Sequence, residues 1–287
     1  TYGTNISTTS SHGHARPDDS AIQAAVQAAD ALGMTVTINP FVEVDAAGGI
    51  GSVWRGSMNF SDPDDLATWF VNYESYMCEM GQLAETYGAD RLFIGSELQG
   101  ISLDGDATPY WESMIASVRS VYGGELSYAA NYNWEYDHVP FWDDLDAIGI
   151  DAYFELASKA EASGLGNPSV QTLEEAWENI LSGVQTYGSG QGLPVVFSEV
   201  GYTYWDGTTA HPWHWQTSTD EDYQEQLNAY QAVIHATDLQ GSWLDEMTFW
   251  HWSMPGGEDS HYAITADSLP GTYIGGYVPE PASLVLM

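Results

Sequence analysis

The chain has 287 residues, of which 41 are Asp or Glu and 5 are Lys or Arg, giving a formal net charge of -36 at pH 7. Because phosphate groups are bound by clustered Lys and Arg, this composition excludes nucleic acid as a partner, and its negative field would repel a polyanionic substrate. Hydrophobic residues make up 44% and aromatic residues 13%, so the chain can form a large core. We interpret the acidity as adaptation to saline surroundings, where counterions screen the repulsion.

Short apolar segments alternate with helical ones along the whole chain, which is the pattern of parallel βαβ units. The predicted strands are 34–44, 91–98, 126–133, 147–154, 194–202 and 246–253. The predicted helices are 18–32, 62–87, 109–122, 172–187 and 220–238. Asp62 before Pro63 is a typical helix start, and Gly88 is a typical helix end.

The six predicted strands carry polar or aromatic residues at their C-terminal ends, which form the active-site face of a β/α barrel. A barrel needs two more strands, so the first strand–helix unit and most of the second strand are expected to be missing. An open doubly wound sheet would explain six strands, but no Gly-rich phosphate loop follows a strand. We therefore predict an α/β fold, a (β/α)8 TIM barrel truncated at the N-terminus, with a catalytic domain over residues 1–272 and a tail over 273–287.

Two strand ends carry a glutamate in an otherwise apolar run, Glu97 and Glu199. A buried carboxylate is costly unless it is paired or hydrogen-bonded, so such positions indicate function. A structural ion pair is the alternative, but only 5 cationic residues are available for it. Two carboxylates supply what glycoside hydrolysis needs, a general acid and a nucleophile or base. Retention of configuration would place the two carboxyl groups about 5–5.5 Å apart.

With the missing strands restored, these glutamates fall on strands four and seven, and further motifs accompany them in order along the chain. The motifs are IGSEL at 94–98, YAAN at 128–131, VPFW at 139–142, IGIDAYF at 148–154, FSEVGY at 197–202 and PWHW at 212–215. The ordered set resembles glycoside hydrolase family 113, the β-mannanases, within the clan of retaining β/α-barrel glycosidases.

This resemblance implies that Glu97 is the acid/base and Glu199 the nucleophile. It also implies that Tyr153 orients Glu199 through its hydroxyl and that Asn131 contacts sugar hydroxyls. Further candidates for substrate contact are Trp54, Arg55, Tyr202, Trp215, Trp250 and Trp252. The last two share one face of the last predicted strand by alternation, and one of them would form the floor under the sugar ring.

One departure from the family pattern lies on the predicted strand 34–44, where Asn39-Pro40-Phe41 stands in place of Lys-Pro-His. This change removes polar and cationic contacts near the substrate. It therefore bears on the sugar specificity more than on the mechanism.

No cofactor and no metal is predicted. The pairs His12 with His14 and His211 with His214 lack a third ligand at zinc spacing. The segment Asp104-Gly105-Asp106 lacks the other positions of a calcium loop, and we interpret it as a turn. The single cysteine, Cys78, excludes an intrachain disulfide and is expected to be a small buried hydrophobe.

The segment Pro279-Glu280-Pro281, followed by an apolar run, resembles the start of the bacterial Pro-Glu-Pro C-terminal sorting signal. We therefore expect a piece of an exported bacterial precursor, extracellular or attached to the cell surface or matrix, and monomeric. The expected partner is a neutral β-linked polysaccharide, with mannan favoured. Three alternatives stay open: another clan glycosidase acting on β-glucan or xylan, a non-catalytic surface glycan-binding protein, and a fragment that is inactive by itself.

Overall fold

Parallel strands alternate with helices along the chain in this computed structural model, which describes residues 2–7, 16–46, 49–50, 53–162, 166–238, 240–253, 260–277 and 283–286. Two units can be separated. The first comprises Thr1–Gly149 and Pro281–Met287, and the second comprises Ile150–Glu280. Within each unit the long strands pair in parallel, so the protein has the parallel α/β fold that its sequence predicts.

The described residues of the first unit up to Asn131 form five strands and four α-helices. They are α1 (Asp19–Asp30), β1 (Thr35–Ile38), β2 (Asp45–Ala46), β3 (Gly49–Ile50), α2 (Pro63–Tyr87), β4 (Arg91–Ser96), α3 (Gln99–Ser102), α4 (Thr108–Arg119) and β5 (Glu125–Asn131). β4 pairs with β1 on one side and with β5 on the other, and a strand over Ser283–Leu286 pairs in parallel with β1. β2 and β3 form a small antiparallel pair.

α2 and β4 show how this sequence forms its core. The Asp62 carboxylate accepts the Asp64 N–H at 2.9 Å and caps α2, and Gly88 ends the helix in the left-handed conformation at φ 80°. Every residue of β4 is buried. The Tyr73 hydroxyl of α2 donates to the Ile94 carbonyl at 2.8 Å, which ties the helix to this strand.

The second unit continues the alternation of strands and helices. Its elements are β6 (Ile148–Asp151, which begins just before the division), α5 (Lys159–Ala162), α6 (Val170–Gln191), β7 (Val195–Val200), α7 (Tyr223–Asp238), β8 (Leu244–Phe249) and α8 (Leu269–Tyr277). β7 is buried throughout and pairs in parallel with β8. α7 packs against α6 and α8. The core of this unit includes Trp177 and Phe197, whose ring centroids lie 5.8 Å apart.

Each predicted strand and helix overlaps an observed one, but the observed strands are shorter than predicted. β1 ends at Ile38, before Pro40, which has no N–H for a ladder. β8 ends at Phe249, so the predicted alternation of Trp250 and Trp252 on one strand face is wrong. The short helices α3 and α5 and the terminal helix α8 were not predicted, and α8 runs through the predicted boundary at 272/273.

Two of the sequence motifs lie outside the described residues, His12 with His14 and Pro279-Glu280-Pro281. In the part of the chain that the structure describes, none of the helices combines the length and the apolar character that a membrane span requires.

Candidate active site

Glu97 follows β4 in a backbone conformation that ordinary residues avoid. Its φ is 50°, in the left-handed region, which costs a non-glycine residue on the order of 1–3 kcal/mol. The β4–β5 register shifts between Phe93 and Ser96, just before it, and the Glu97 N–H donates to the Ala129 carbonyl at 2.8 Å. Bulges of this kind redirect a side chain at the end of a strand.

Three side chains that the sequence marked as candidates donate hydrogen bonds to the Glu97 carboxylate. Asn131 Nδ2 lies 2.5 Å from Oε1. Trp54 Nε1 and Arg55 Nη2 lie 3.1 and 3.3 Å from Oε2. The carboxylate therefore has a defined orientation within the first unit.

Arg55 is shared between two carboxylates. It forms ion pairs with Glu43 and with Glu97, and its Nε donates to the Ser96 carbonyl at 3.0 Å. Its guanidinium carbon lies 4.5 Å from the centre of the Phe41 ring, within the range of a cation–π contact. Phe41, where the family pattern has histidine, thus supports the cation beside Glu97.

The position of the Trp54 indole requires a glycine two residues further along the chain. A Cβ at Gly56 would lie 2.3 Å from the Trp54 ring, so only glycine leaves room for the indole. The Trp54 ring is partly exposed. It can therefore contact a sugar while its Nε1 holds Glu97.

Glu135 is a buried carboxylate that no sequence motif had marked. It accepts hydrogen bonds from Ser102 Oγ at 2.6 Å, Tyr128 Oη at 2.6 Å and the Asn131 N–H at 2.7 Å. Burial raises its pKa to about 7, although these three bonds oppose the rise. Tyr128 Oη also accepts the Leu98 N–H at 2.6 Å. Glu135 therefore holds the chain at two places, at Leu98 next to Glu97 through Tyr128, and at Asn131 directly.

The raised pKa of Glu135 predicts a pH-dependent stability. Between its ordinary value of 4.5 and about 7, the folded state binds more protons than the unfolded state, so the free energy of unfolding falls as pH rises. Relative to Glu135→Gln, the wild-type protein should lose about 3 kcal/mol between about pH 4 and about pH 8. Denaturant unfolding of both proteins measures this difference. Glu112→Gln, on the exposed side of α4, is the control and should show the wild-type slope.

Glu199 lies near the end of β7 and is 5% exposed. Its Oε2 accepts the Tyr153 hydroxyl at 2.6 Å, and its carbonyl accepts the Ala152 N–H at 2.7 Å. Burial and the nearby Glu199 charge raise the pKa of Tyr153 well above its usual value, so the phenol keeps its proton and donates a hydrogen bond to Glu199. The structure thus places Tyr153 in contact with Glu199, as the resemblance implied.

Three groups of the second unit approach one another at Gly201, two residues after Glu199. A Cβ there would lie 2.8 Å from the Trp250 carbonyl, 3.0 Å from the Tyr153 ring and 3.1 Å from the Tyr262 ring. The Trp250 N–H donates to the Val200 carbonyl at 2.8 Å, which keeps Trp250 beside the end of β7. The peptide bond from Trp250 to the next residue is cis.

The other aromatic candidates of this unit differ in their exposure. Trp252 is exposed, and Trp215 is exposed and stacks on His261 with centroids 5.0 Å apart and planes at 11°. Tyr202 is only 1% exposed, and its hydroxyl accepts the Trp177 Nε1–H at 3.1 Å. Tyr202 therefore belongs to the core in this structure and offers no surface to a sugar.

Carboxylate oxygens of Asp206, Asp222 and Glu225 lie within 4.8 Å of one another and could hold a metal ion. The Glu225 oxygens already accept the Gly207 N–H and two bonds from Thr209. These bonds explain Glu225 as the anchor of its loop. The cluster by itself does not define a metal site.

A parallel α/β fold with hydrogen-bonded carboxylates at the C-terminal ends of its strands is typical of β/α-barrel glycosidases. Residues 3–267 match the sequence profile of Glycoside Hydrolase Family 113. The chain therefore belongs to this family. It is a glycoside hydrolase and, as a member of this family, a retaining one.

Solved structures of this family, and of a β-glucuronidase, share the fold. A GH113 β-mannanase from Alicyclobacillus acidocaldarius, in complex with ManMIm, is 24% identical with a TM-score of 0.73, and the match covers 95% of this chain and 80% of that one. A GH113 β-1,4-mannanase is 22% identical with a TM-score of 0.72, covering 96% and 82%. A β-glucuronidase from Ruminococcus gnavus is 12% identical with a TM-score of 0.58, covering 92% and 46%. No curated protein matched the chain.

Proposed function

We propose that the protein is an endo-β-1,4-mannanase in which Glu97 is the acid/base and Glu199 the nucleophile. The observation that carries this proposal is that both glutamates are present at strand ends and each is held by hydrogen-bond donors. A binding protein that had lost catalysis would not need these contacts. The intact pair therefore favours an enzyme over the non-catalytic alternative.

In the first step of the proposed mechanism, a Glu199 oxygen bonds to the anomeric carbon while Glu97 gives its proton to the departing glycosidic oxygen. In the second step, Glu97 takes a proton from water, whose oxygen displaces Glu199 from the sugar. Tyr153 holds the nucleophile through its hydroxyl. Two inversions at the same carbon return the starting configuration.

Mannan is the substrate that the family likeness favours, and a neutral polysaccharide suits a protein with a net charge of -36. We expect kcat/KM on soluble mannan to exceed that on β-glucan and xylan by at least about tenfold, a difference of about 1.4 kcal/mol in transition-state binding. Proton NMR of the first products should show the β-anomer. A preference for glucan or xylan would change the sugar and keep the mechanism, whereas an initial α-anomer would contradict double displacement.

The (β/α)8 TIM barrel, the division into a catalytic domain and a C-terminal tail, the monomeric state and export to the cell surface or medium are further proposals. They are supported by the sequence patterns and by the family likeness alone. Fractionation of a bacterium that produces the native precursor tests export, since recovery of the activity inside the cells would contradict it.

A further inference from the structure

Trp134 is exposed in a conformation that a large side chain rarely adopts. It lies in the turn over residues 132–138 that follows β5, with φ 63°. Its side chain is 66% exposed. A bulky residue with positive φ is a genuine outlier, and such residues concentrate at functional sites.

The turn that carries Trp134 is anchored by buried contacts of the residues that follow it. Glu135, the next residue, is fully buried and bonded to α3 and β5 through Ser102 and Tyr128. The Tyr136 carbonyl accepts the Trp142 Nε1–H at 2.8 Å. The indole is therefore presented on a fixed backbone, so binding to it would require little ordering of the chain.

One face of the Trp134 ring is covered, while the residue as a whole stays largely exposed. The His138 ring stacks on it with centroids 4.0 Å apart and planes at 29°. His138 Nδ1 is hydrogen-bonded to Asp137 Oδ1 at 2.6 Å, which fixes the imidazole. The exposed surface of the indole is thus a flat apolar patch beside polar groups, which suits the C–H face and the hydroxyls of a pyranose ring.

The position of Trp134 indicates which sugar it would bind. It lies three residues beyond Asn131, whose amide contacts Glu97. On the proposed function, Glu97 protonates the oxygen that leaves with the departing sugar. We propose that Trp134 is a stacking platform for the pyranose rings on the leaving-group side of the cleaved bond. This inference rests on the proposed role of Glu97.

Two substrates separate this role from a general effect on catalysis. Soluble mannan places sugars on the leaving-group side, whereas β-mannobiosyl fluoride places only a fluoride ion there, which has no ring to stack on an indole. For Trp134→Ala we expect kcat/KM on mannan to fall about tenfold, and kcat/KM on the glycosyl fluoride to stay within about twofold. Leu32→Ala removes a side chain of nearly equal exposure, 65%, and should change neither value.

A second variant excludes a folding defect as the cause. Glycine accepts positive φ without strain, so Trp134→Gly should melt at the same temperature as the wild type or higher, and it should still lose about tenfold on mannan. An equal loss on both substrates, or no loss on mannan, would overturn the proposal. A wild type that hydrolyses neither substrate would contradict the proposed function. An active wild type with the same kcat/KM on mannan as Trp134→Ala would contradict only the role of Trp134.

Discussion

Replacing Glu199 with glutamine should lower kcat on mannan by at least about 10⁴-fold. The amide has nearly the shape of the carboxylate, and its oxygen can still accept the Tyr153 hydroxyl that lies 2.6 Å from Oε2. It cannot attack the anomeric carbon, so the covalent step is lost while the site keeps its form. Because the substitution also removes a buried negative charge, the melting temperature should stay the same or rise.

The matched control for this variant is Glu178→Gln, which changes an exposed acid on α6 of the same unit and should keep kcat within about twofold. A residual activity of more than about one hundredth in Glu199→Gln would contradict the nucleophile assignment. Azide offers an independent check with Glu199→Ala and an activated glycoside. With the carboxylate gone, azide can attack the anomeric carbon directly, and the product should be the α-glycosyl azide.

The candidate functional residues that could be predicted from the sequence are those whose chemical character differs from that of their neighbours. Glu97 and Glu199 are single acids in runs that the structure shows to be buried strands or their ends. Tyr153 and Asn131 were placed by family motifs, and the structure brings Tyr153 into contact with Glu199, as the resemblance implied. It also brings Asn131 into contact with Glu97, which was not predicted, whereas contact of Asn131 with sugar hydroxyls stays a prediction. In each case a local pattern was enough, because the end of a strand fixes where its residues lie.

Other residues depend on contacts that no local pattern contains. Glu135 is buried because Ser102, 33 positions away in the chain, and Tyr128 close around it. Tyr202 was expected at the surface, but β7 ends at Val200, and the tyrosine turns inward to Trp177. The exposure of Trp134 follows from the left-handed turn after β5, which the sequence YNW at 132–134 does not indicate.

Glu97→Gln should separate the two chemical steps. On mannan, kcat should fall by about 10² to 10⁴-fold, because the glycosidic oxygen is a poor leaving group without a proton donor. On a dinitrophenyl glycoside the leaving group needs no proton, so the first step should remain fast. The second step still needs a base to activate water, and the glycosyl-enzyme should therefore accumulate and give a burst of phenolate.

The control for this variant is Glu112→Gln, an exposed acid in the first unit, which should leave both substrates unaffected. Azide should speed up turnover of the dinitrophenyl substrate by the Glu97 variant, because as an anion it attacks the glycosyl-enzyme without a base. The product should be the β-glycosyl azide, opposite to that of Glu199→Ala. The two azide products together assign the roles, since exchanging the roles of the two glutamates would exchange the anomers of the two products.

An equal loss on both substrates without a burst would contradict an acid/base role for Glu97. It would instead favour a role in holding Arg55 and Asn131, which both contact its carboxylate.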